Sequence, residues 1–555
     1  MGVFEKPAGC FSPVDKALSM KKNQNMNKFW RVGEPMVWLS GAALAMTLLS
    51  ALVLLVVVMV NGLGVFWPSA VHKLELKDGS LLAGSLIRTE KTADASALRH
   101  QYKIANRDLY GLDFRWIDVA DIVASTTPAE LLVLERMEYG DFYGQLKALN
   151  TANQKSQAPT LEALRQALAQ VTASKEALSE LDERLQDLNY ASEGLRLQLL
   201  KLDYKPQTAD DAQRRRLGDE KQIIDREFVE LVQLQTRRLA EIRKQTATFA
   251  DLGGQKKDIV LADIVQAYAP NTMTLTDKLI FYAGKLYELV AGEPRESNTE
   301  GGLFPAIFGT VMLIFVMSLF SFPLGVIAAV YLREYAKEGL LVRIVRIAVN
   351  NLAGIPSIVY GIFGLGFFVY GIGSGIDQLF FPERLPTPTF GTGGLLWASL
   401  TLALLTVPVV IVATEEALGA IPREMREGSY ALGSTKFQTL VRVLLPMASP
   451  GILTGLILAM ARAAGEVAPL MITGVVKLAP ALPLDGNFPY LHLERKFMHL
   501  GFHIYDIGFQ SPNVEAAKPM VYVTALLLVL IVLLMSSVAI RLRNRMKKRY
   551  TFGTF

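Results

Sequence analysis

Glu427-Gly428-Ser429-Tyr430-Ala431-Leu432-Gly433, with nine residues between it and Val443-Leu444-Leu445-Pro446, is a polar stretch set between two long apolar runs. Pro422 suits the first turn of a helix, where a missing N–H costs nothing, and Glu424 and Glu427 favour that helix's positive end. Gly433 can adopt the left-handed conformation that stops it. Thr435, with Gln438 three residues on, makes a capping box for a second short helix that would carry Phe437, Leu440, Val441 and Leu444 on one face. The expected shape is a helix, a glycine elbow and another helix along a membrane surface. Short rigid helices of this kind move as bodies when a partner's groove shifts; an interfacial amphipathic helix between two spans would carry the same pattern.

Working outward, 51% of the 555 residues are hydrophobic and the mean hydropathy is +0.29, which excludes an ordinary soluble enzyme. Six apolar runs, at 37–60, 306–332, 345–372, 394–413, 449–475 and 519–540, are each long enough for a ~30 Å hydrocarbon core. Lysines and arginines cluster beside particular ends of these runs. Lys16, Lys21, Lys22, Lys28 and Arg31 precede the first; Arg333, Lys337, Arg343 and Arg346 lie between the second and third; Arg541, Arg543, Arg545, Lys547, Lys548 and Arg549 follow the last. Both termini (1–36 and the basic tail 541–555) and the elbow loop 415–446 are therefore expected in the cytoplasm, and residues 69–300 outside it. The first run is longer than a signal-peptide core and no small-x-small cleavage site follows, so a retained anchor is expected. The lone Cys10 leaves no intramolecular disulfide.

The outer insert has three textures. Residues 72–123 alternate polar and apolar around an Asp78-Gly79 turn, as short antiparallel strands do. Residues 160–250 carry leucines three or four apart, interrupted at Lys205-Pro206, which predicts two helices folded into a hairpin. A further helix or two is expected over 256–300. The fold class is thus an all-helical six-span membrane protein with a large α+β insert between helices 1 and 2.

Two features within the spans point to a path for a polar solute. Arg462 and Glu466 are charged residues at membrane depth, where an unpaired charge facing lipid costs at least ~2.5–3.5 kcal/mol. Their spacing allows a pair across one helical turn. In the third run, Gly354, Pro356 and Gly361 break the helix beside Asn350, Asn351 and Ser357, freeing backbone groups for a substrate or for a packing kink. Gly451 and Gly455 form a GxxxG step suited to close helix contact. No GxxxxGK[ST] phosphate loop exists, since Gly433-Ser434-Thr435-Lys436 lacks the leading glycine spacing, so this chain is not expected to hydrolyse ATP. His499 and His503 have metal-ligand spacing without a supporting motif; with His492 they are expected to face water or headgroups.

The elbow resembles the EAA loop of ABC importer permeases: Glu-Ala-Ala, three residues, Gly, nine residues, Ile-x-Leu-Pro. Gly428 and Ser429 stand for the two alanines and Val443 for the isoleucine. Asn351-Leu352-Ala353-Gly354-Ile355-Pro356-Ser357-Ile358-Val359-Tyr360-Gly361 and Ala461-Arg462-Ala463-Ala464-Gly465-Glu466-Val467-Ala468-Pro469-Leu470 resemble the PstA family of phosphate-importer permeases over residues 302–540. The resemblance implies the type I importer permease fold in a bacterial inner membrane. It implies Glu427, Gly428, Ser429, Gly433, Val443, Leu445 and Pro446 as the ATPase-docking residues, and supports Arg462 and Glu466, with Asn351 and Ser357, as residues of the translocation path. It further implies a second permease subunit resembling PstC, an ATPase dimer resembling PstB that holds ATP and Mg, and a periplasmic phosphate-binding protein resembling PstS. This chain itself would bind inorganic phosphate in passing, membrane lipid around it, and no cofactor, metal or nucleic acid. A permease for another oxyanion or small solute would share the elbow; a membrane-anchored sensor would explain the insert but lacks a visible output domain.

Overall fold

The computed structural model of this chain describes residues 34–91, 98–151, 155–157, 159–204, 211–511 and 514–550. Cys10, the basic residues before position 34 and the Lys205-Pro206 interruption lie outside the described residues. Among those described, helices at Met36–Gly64, Phe304–Tyr335, Ser357–Phe380, Leu395–Gly419, Lys436–Gly465 and Val514–Lys548 are long and apolar enough to cross a membrane.

After helix α1 (Glu34–Gly64) come β1 (Val71–Leu76), β2 (Leu81–Lys91), β3 (Leu98–Lys103), β4 (Phe114–Asp118) and β5 (Ile122–Thr126). They form one antiparallel sheet in the order β4-β3-β2-β1-β5. The β1–β2 turn closes because Gly79 takes φ +79° and the Asp78 carboxylate accepts from the Ser80 amide at 2.9 Å. A second sheet contains β6 (Leu132–Arg136), β7 (Phe142–Asn150) and β8 (Lys155–Gln157), then, after α2 (Leu161–Tyr204) and α3 (Asp211–Arg243), β9 (Thr246–Ala250), β10 (Lys256–Val260) and β11 (Ile264–Tyr268). Its order is β10-β9-β7-β6-β11, with β8 on β7.

Two expectations are corrected here. The helical hairpin ends at Arg243 rather than 250, because Ala247 and Phe249 alternate inward from a strand. Within 256–300, where helix is expected, residues 256–260 and 264–268 are instead strands joined by a single 3-10 turn, turned back on β9 through Gly254 at φ +86°, and the helix comes at Leu275–Ala291. The leucine stripe of α2 also divides its work. Leu164, Val171 and Leu178 lie on the second sheet with Phe142, Phe249 and Ile259, while the buried Leu185, Leu188 and Leu195 lie farther along α2, where it runs against α3.

Helix α4 (Leu275–Ala291), capped by a reciprocal Thr274–Asp277 box, leads into α5 (Phe304–Val330), which a wide π turn prolongs through Tyr335. There follow α6 (Leu340–Leu352), α7 (Ser357–Phe380), α8 (Leu395–Gly419), α9 (Arg423–Ala431), α10 (Lys436–Gly465), α11 (Ala468–Thr473), α12 (Leu500–Tyr505) and α13 (Val514–Tyr550). Small residues bring α5, α8 and α10 close: a Cβ on Gly325 would stand 2.7 Å from Val410, and Cβ atoms on Gly451 and Gly455 would stand 2.5 and 2.7 Å from Ala417 and Ala413. Three apolar clusters stack through the bundle. Leu418, Leu440, Leu444 and Ile452 fill the elbow end; Met317, Leu402, Ala463 and Leu470 the middle; Leu289, Leu303, Met498 and Met520 the insert end.

The third and fifth expected spans have other limits. Residues 345–352 belong to the separate helix α6, since Pro356 removes an amide donor and disfavours a helical residue before it. The expected 449–475 span instead runs from Lys436 and stops at Gly465, because Glu466 is extended (φ −78°, ψ 132°) and Pro469 belongs to a new helix.

Phe249 is fully buried between β7 and α2. Phe249→Ala should lower the stability of the insert by about 3–5 kcal/mol, seen as an earlier melting transition of the purified chain by circular dichroism.

Candidate functional site

The elbow is built by local chemistry. Helix α9 ends as Gly433, at φ +81°, donates its amide to the Tyr430 carbonyl at 2.9 Å and Ser434 donates to Ser429 at 3.2 Å. The next helix opens on the expected capping box: the Gln438 amide donates to Thr435 Oγ1 at 3.2 Å, and the Thr435 amide to Gln438 Oε1 at 2.9 Å. Ser429 and the buried Thr439 hydroxyls meet at 2.8 Å and close the two arms on each other.

That second arm is not a separate surface helix, as the sequence suggests. It is the first turns of α10, carried into the bundle through a π turn at Leu440–Leu444. Pro446 explains the wide turn, since a proline has no amide to continue the ordinary ladder and its ring crowds the preceding turn. The expected common face of Phe437, Leu440, Val441 and Leu444 is consequently split. Leu440 and Leu444 are buried among Leu418, Ile421 and Ile452, whereas Phe437 and Val441 are 66% and 43% exposed. Leu432 at the tip is 88% exposed. Glu427, Gly428 and Gly433 are exposed, Ser429, Val443, Leu445 and Pro446 half-buried. The elbow therefore presents an apolar tip and an acidic side on a root fixed in the bundle.

The second constellation is a pair of helix breaks at the level of the middle cluster. One lies at residues 353–356, between α6 and α7, the other at Glu466-Val467, between α10 and α11. They abut: a Cβ on Gly361 would stand 2.7 Å from the Pro469 Cα, and Tyr360 packs with Ala463, Ala464 and Leu470. The two quoted motifs are thus neighbours in space. Arg462 Nε lies 3.6 Å from Glu466 Oε1, with side chains 33% and 20% exposed. The contact is an ion pair longer than a hydrogen bond, and it is made across the end of α10 rather than along a continuous helix. Asn351 is exposed and Ser357 half-buried beside the first break.

At the insert end the histidines correct an expectation. His492, His499 and His503 are 4%, 1% and 3% exposed rather than facing water. His503 donates from Nε2 to the Asn298 carbonyl at 3.0 Å and its Nδ1 lies 3.1 Å from Thr524 Oγ1, tying the end of the insert to α13. Burial holds His499 and His503 down to about 4, so both rings are neutral. His492 bridges Asp485 and Glu494 at 3.0 and 3.1 Å. Among the described residues no group of three or more His, Cys, Asp or Glu side chains is set to hold a metal ion.

The family described as "binding-protein-dependent transport system inner membrane component" matches residues 321–548, which contain the elbow and both breaks. The "Probable phosphate transport system permease protein PstA" of Methanocaldococcus jannaschii is 35% identical over 221 residues, 39% of this chain and 67% of that protein. The "Phosphate transport system permease protein PstA" of Yersinia pestis is 34% identical over 246 residues, 44% of this chain and 74% of that one. This chain belongs to the binding-protein-dependent ABC permeases. Within them it resembles PstA, also through "PstA 1" of Mycobacterium tuberculosis, 38% identical over 35% of this chain and 58% of its own length. The inward-facing MetNI methionine ABC transporter structure is 22% identical, covering 44% of this permease and 95% of that chain with a TM-score of 0.34.

One ion pair beside the elbow escapes sequence reasoning. Arg426 and Glu334, 92 positions apart, pair at 2.9 Å beside the elbow; no local pattern announces a contact that only the packing of α5 against α8 creates.

Because Gly361 lies on Pro469, Gly361→Ala should destabilise the bundle by about 1–3 kcal/mol through overpacking. Gly366, whose Cβ position is open, is the control: Gly366→Ala should leave the melting midpoint of the detergent-purified chain unchanged.

Proposed function

We propose that this chain is a transmembrane subunit of an ATP-driven inorganic phosphate importer in a bacterial inner membrane. The observation that carries the reading is the elbow: a left-handed glycine joins α9 to a membrane-crossing helix, and the tip residues Leu432 and Phe437 are left uncovered. Exposed apolar side chains on a rooted rigid lever fit the groove of a protein that moves them. The relatives named phosphate permeases support phosphate as the solute.

In this reading both termini and the elbow are cytoplasmic, and the insert is periplasmic. An ATPase dimer resembling PstB, carrying ATP and Mg, engages Glu427, Gly428, Ser429 and Gly433 directly, with Val443, Leu445 and Pro446 fixing the root. A second permease resembling PstC completes the path, and a binding protein resembling PstS delivers phosphate. Closure of the ATPases swings α9 and α10 together, so the spans alternate between inward and outward openings. Arg462 offers a planar guanidinium to the passing anion, Glu466 weakens that hold enough for release, and Asn351 and Ser357 line the neighbouring break.

Purified with its neighbours and reconstituted in vesicles, the complex should hydrolyse ATP faster when phosphate-loaded binding protein is present, and sulfate or molybdate should not compete for uptake. Competition by either oxyanion would reassign the substrate while leaving the permease reading intact. Arg462→Lys should reduce phosphate uptake by about tenfold or more at normal expression, since a point charge loses a charge-assisted bond worth roughly 1.5–3 kcal/mol. Undiminished uptake would remove guanidinium-specific recognition.

A further inference from the structure

Helix α9 contributes no fully buried residue to the bundle, yet one of its side chains reaches three other elements at once. Arg426 Nη1 donates to the Ile421 carbonyl at 2.9 Å, and Nη2 donates both to the Leu418 carbonyl at 2.8 Å and to Glu334 Oε1 at 2.9 Å. Leu418 and Ile421 belong to the end of α8 and the turn after it; Glu334 belongs to the π turn that ends α5. The Arg426 and Glu334 side chains are 17% and 11% exposed, so the pair is shielded from much of the screening that weakens surface ion pairs. Around it, the Arg333 guanidinium lies over Gly419, where a Cβ would stand 3.1 Å from Nη2, and Lys436 Nζ lies 5.4 Å from the centre of the Tyr335 ring.

The chain itself connects α9 to α8 through Pro422 and to α10 through the Gly433 turn. The contact of α9 with α5 is otherwise apolar, through Met425 in the cluster that holds Phe322, Val326 and Val330. The guanidinium adds a directional polar connection, to a residue 92 positions earlier. Its planar fork meets a carboxylate on one edge and helix-terminal carbonyls, the negative end of α8, on the other.

We infer that Arg426 is a positioning residue for energy coupling: paired with Glu334, it makes the end of α5 follow the elbow, so that three spans rather than two move as one body. This rests on the reading of the elbow as the ATPase-docking lever. Without the pair, only non-directional apolar packing carries a push on α9 to the end of α5, the helix can turn about Pro422 and Gly433, and ATP is hydrolysed with less solute moved.

The test is phosphate transported per ATP hydrolysed by the complete reconstituted complex. Arg426→Gln and Glu334→Gln should each lower this ratio about fivefold or more, the lower end of a typical coupling between two sites, with ATP hydrolysis retained and the ATPase still co-purifying. The double variant should be no worse than the poorer single one, as expected for partners in one contact. Arg426→Lys should recover part of the ratio by keeping the charge pair while losing the carbonyl fork. An unchanged ratio in Glu334→Gln overturns the proposal even if Arg426→Gln fails to assemble, because among the described residues the ion pair with Arg426 is the polar contact through which Glu334 meets α9. Failure of the native complex to retain an ATPase, or to crosslink one at Leu432, would overturn the lever and with it the proposal; retention with unchanged ratios would overturn the positioning role alone.

Discussion

Away from water a freed peptide group must find its partner within the protein, and this constraint governs how the permease can contain two broken helices side by side. Each break closes on itself. The Leu352 carbonyl, released where α6 ends, accepts from the Ile355 amide at 3.2 Å and from the Tyr360 hydroxyl at 2.7 Å. The Ala463 carbonyl takes the Glu466 amide at 3.2 Å, and the Val467 carbonyl takes the amides of Leu470 and Met471. Gly361 then lets Pro469 lie against α7, so that the breaks support each other mechanically. Arg462 and Glu466 stand at this junction because it is where the backbone is already polar, and a charged pair there adds less to the desolvation cost than it would along an intact helix.

The backbone of the elbow is likewise satisfied within a few residues. Gly433, the Thr435–Gln438 box and the Ser429–Thr439 contact are set by neighbours in sequence, which is why the helix, turn and second helix were legible from residues 422–446 alone. What the sequence could not reveal was that the second arm continues into the membrane. Apolar content starts that span at 449, but a π turn absorbs the missing donor of Pro446 and the helix is continuous from Lys436. Apolar content also joins 345–372 into one span, although the breakers Gly354 and Pro356 that the sequence shows divide it.

Other parts were invisible for the reverse reason, that their causes are distant. Strands β9 to β11 are short, and Phe249 and Ile259 acquire their meaning from β7 and the first half of α2. Leucine periodicity marked α2 without indicating that its stripe changes partner from sheet to helix part-way. His499 caps and His503 belongs to the short helix α12, and the partners of the buried His503 come from afar, Asn298 from the insert and Thr524 from α13. Arg426 belongs to this class, because its partners come from two helices that the chain brings together over nearly a hundred residues.

These connections divide the permease into regions of unequal stiffness. At the insert end, Glu296 binds Arg107 and accepts from the Tyr139 amide at 2.8 Å, while Asn298 donates to the Lys477 carbonyl at 2.6 Å. The Leu500 amide donates to Thr310 Oγ1 at 2.9 Å, joining α12 to α5. Glu296 and Asn298 take positive φ in this joint, conformations that in non-glycine residues persist where surroundings hold them. Directional polar bonds join insert, α5, α12 and α13 at this end, whereas at the elbow end an apolar cluster is tied by the Arg426 fork. The unbroken helix α8 passes between these two ends, and the breaks lie midway beside it. In the proposed coupling, residues 353–356 and 466–467, the two places where the ladder is already interrupted, would take up a displacement applied to α9, and the Arg462–Glu466 pair lies at the second of them.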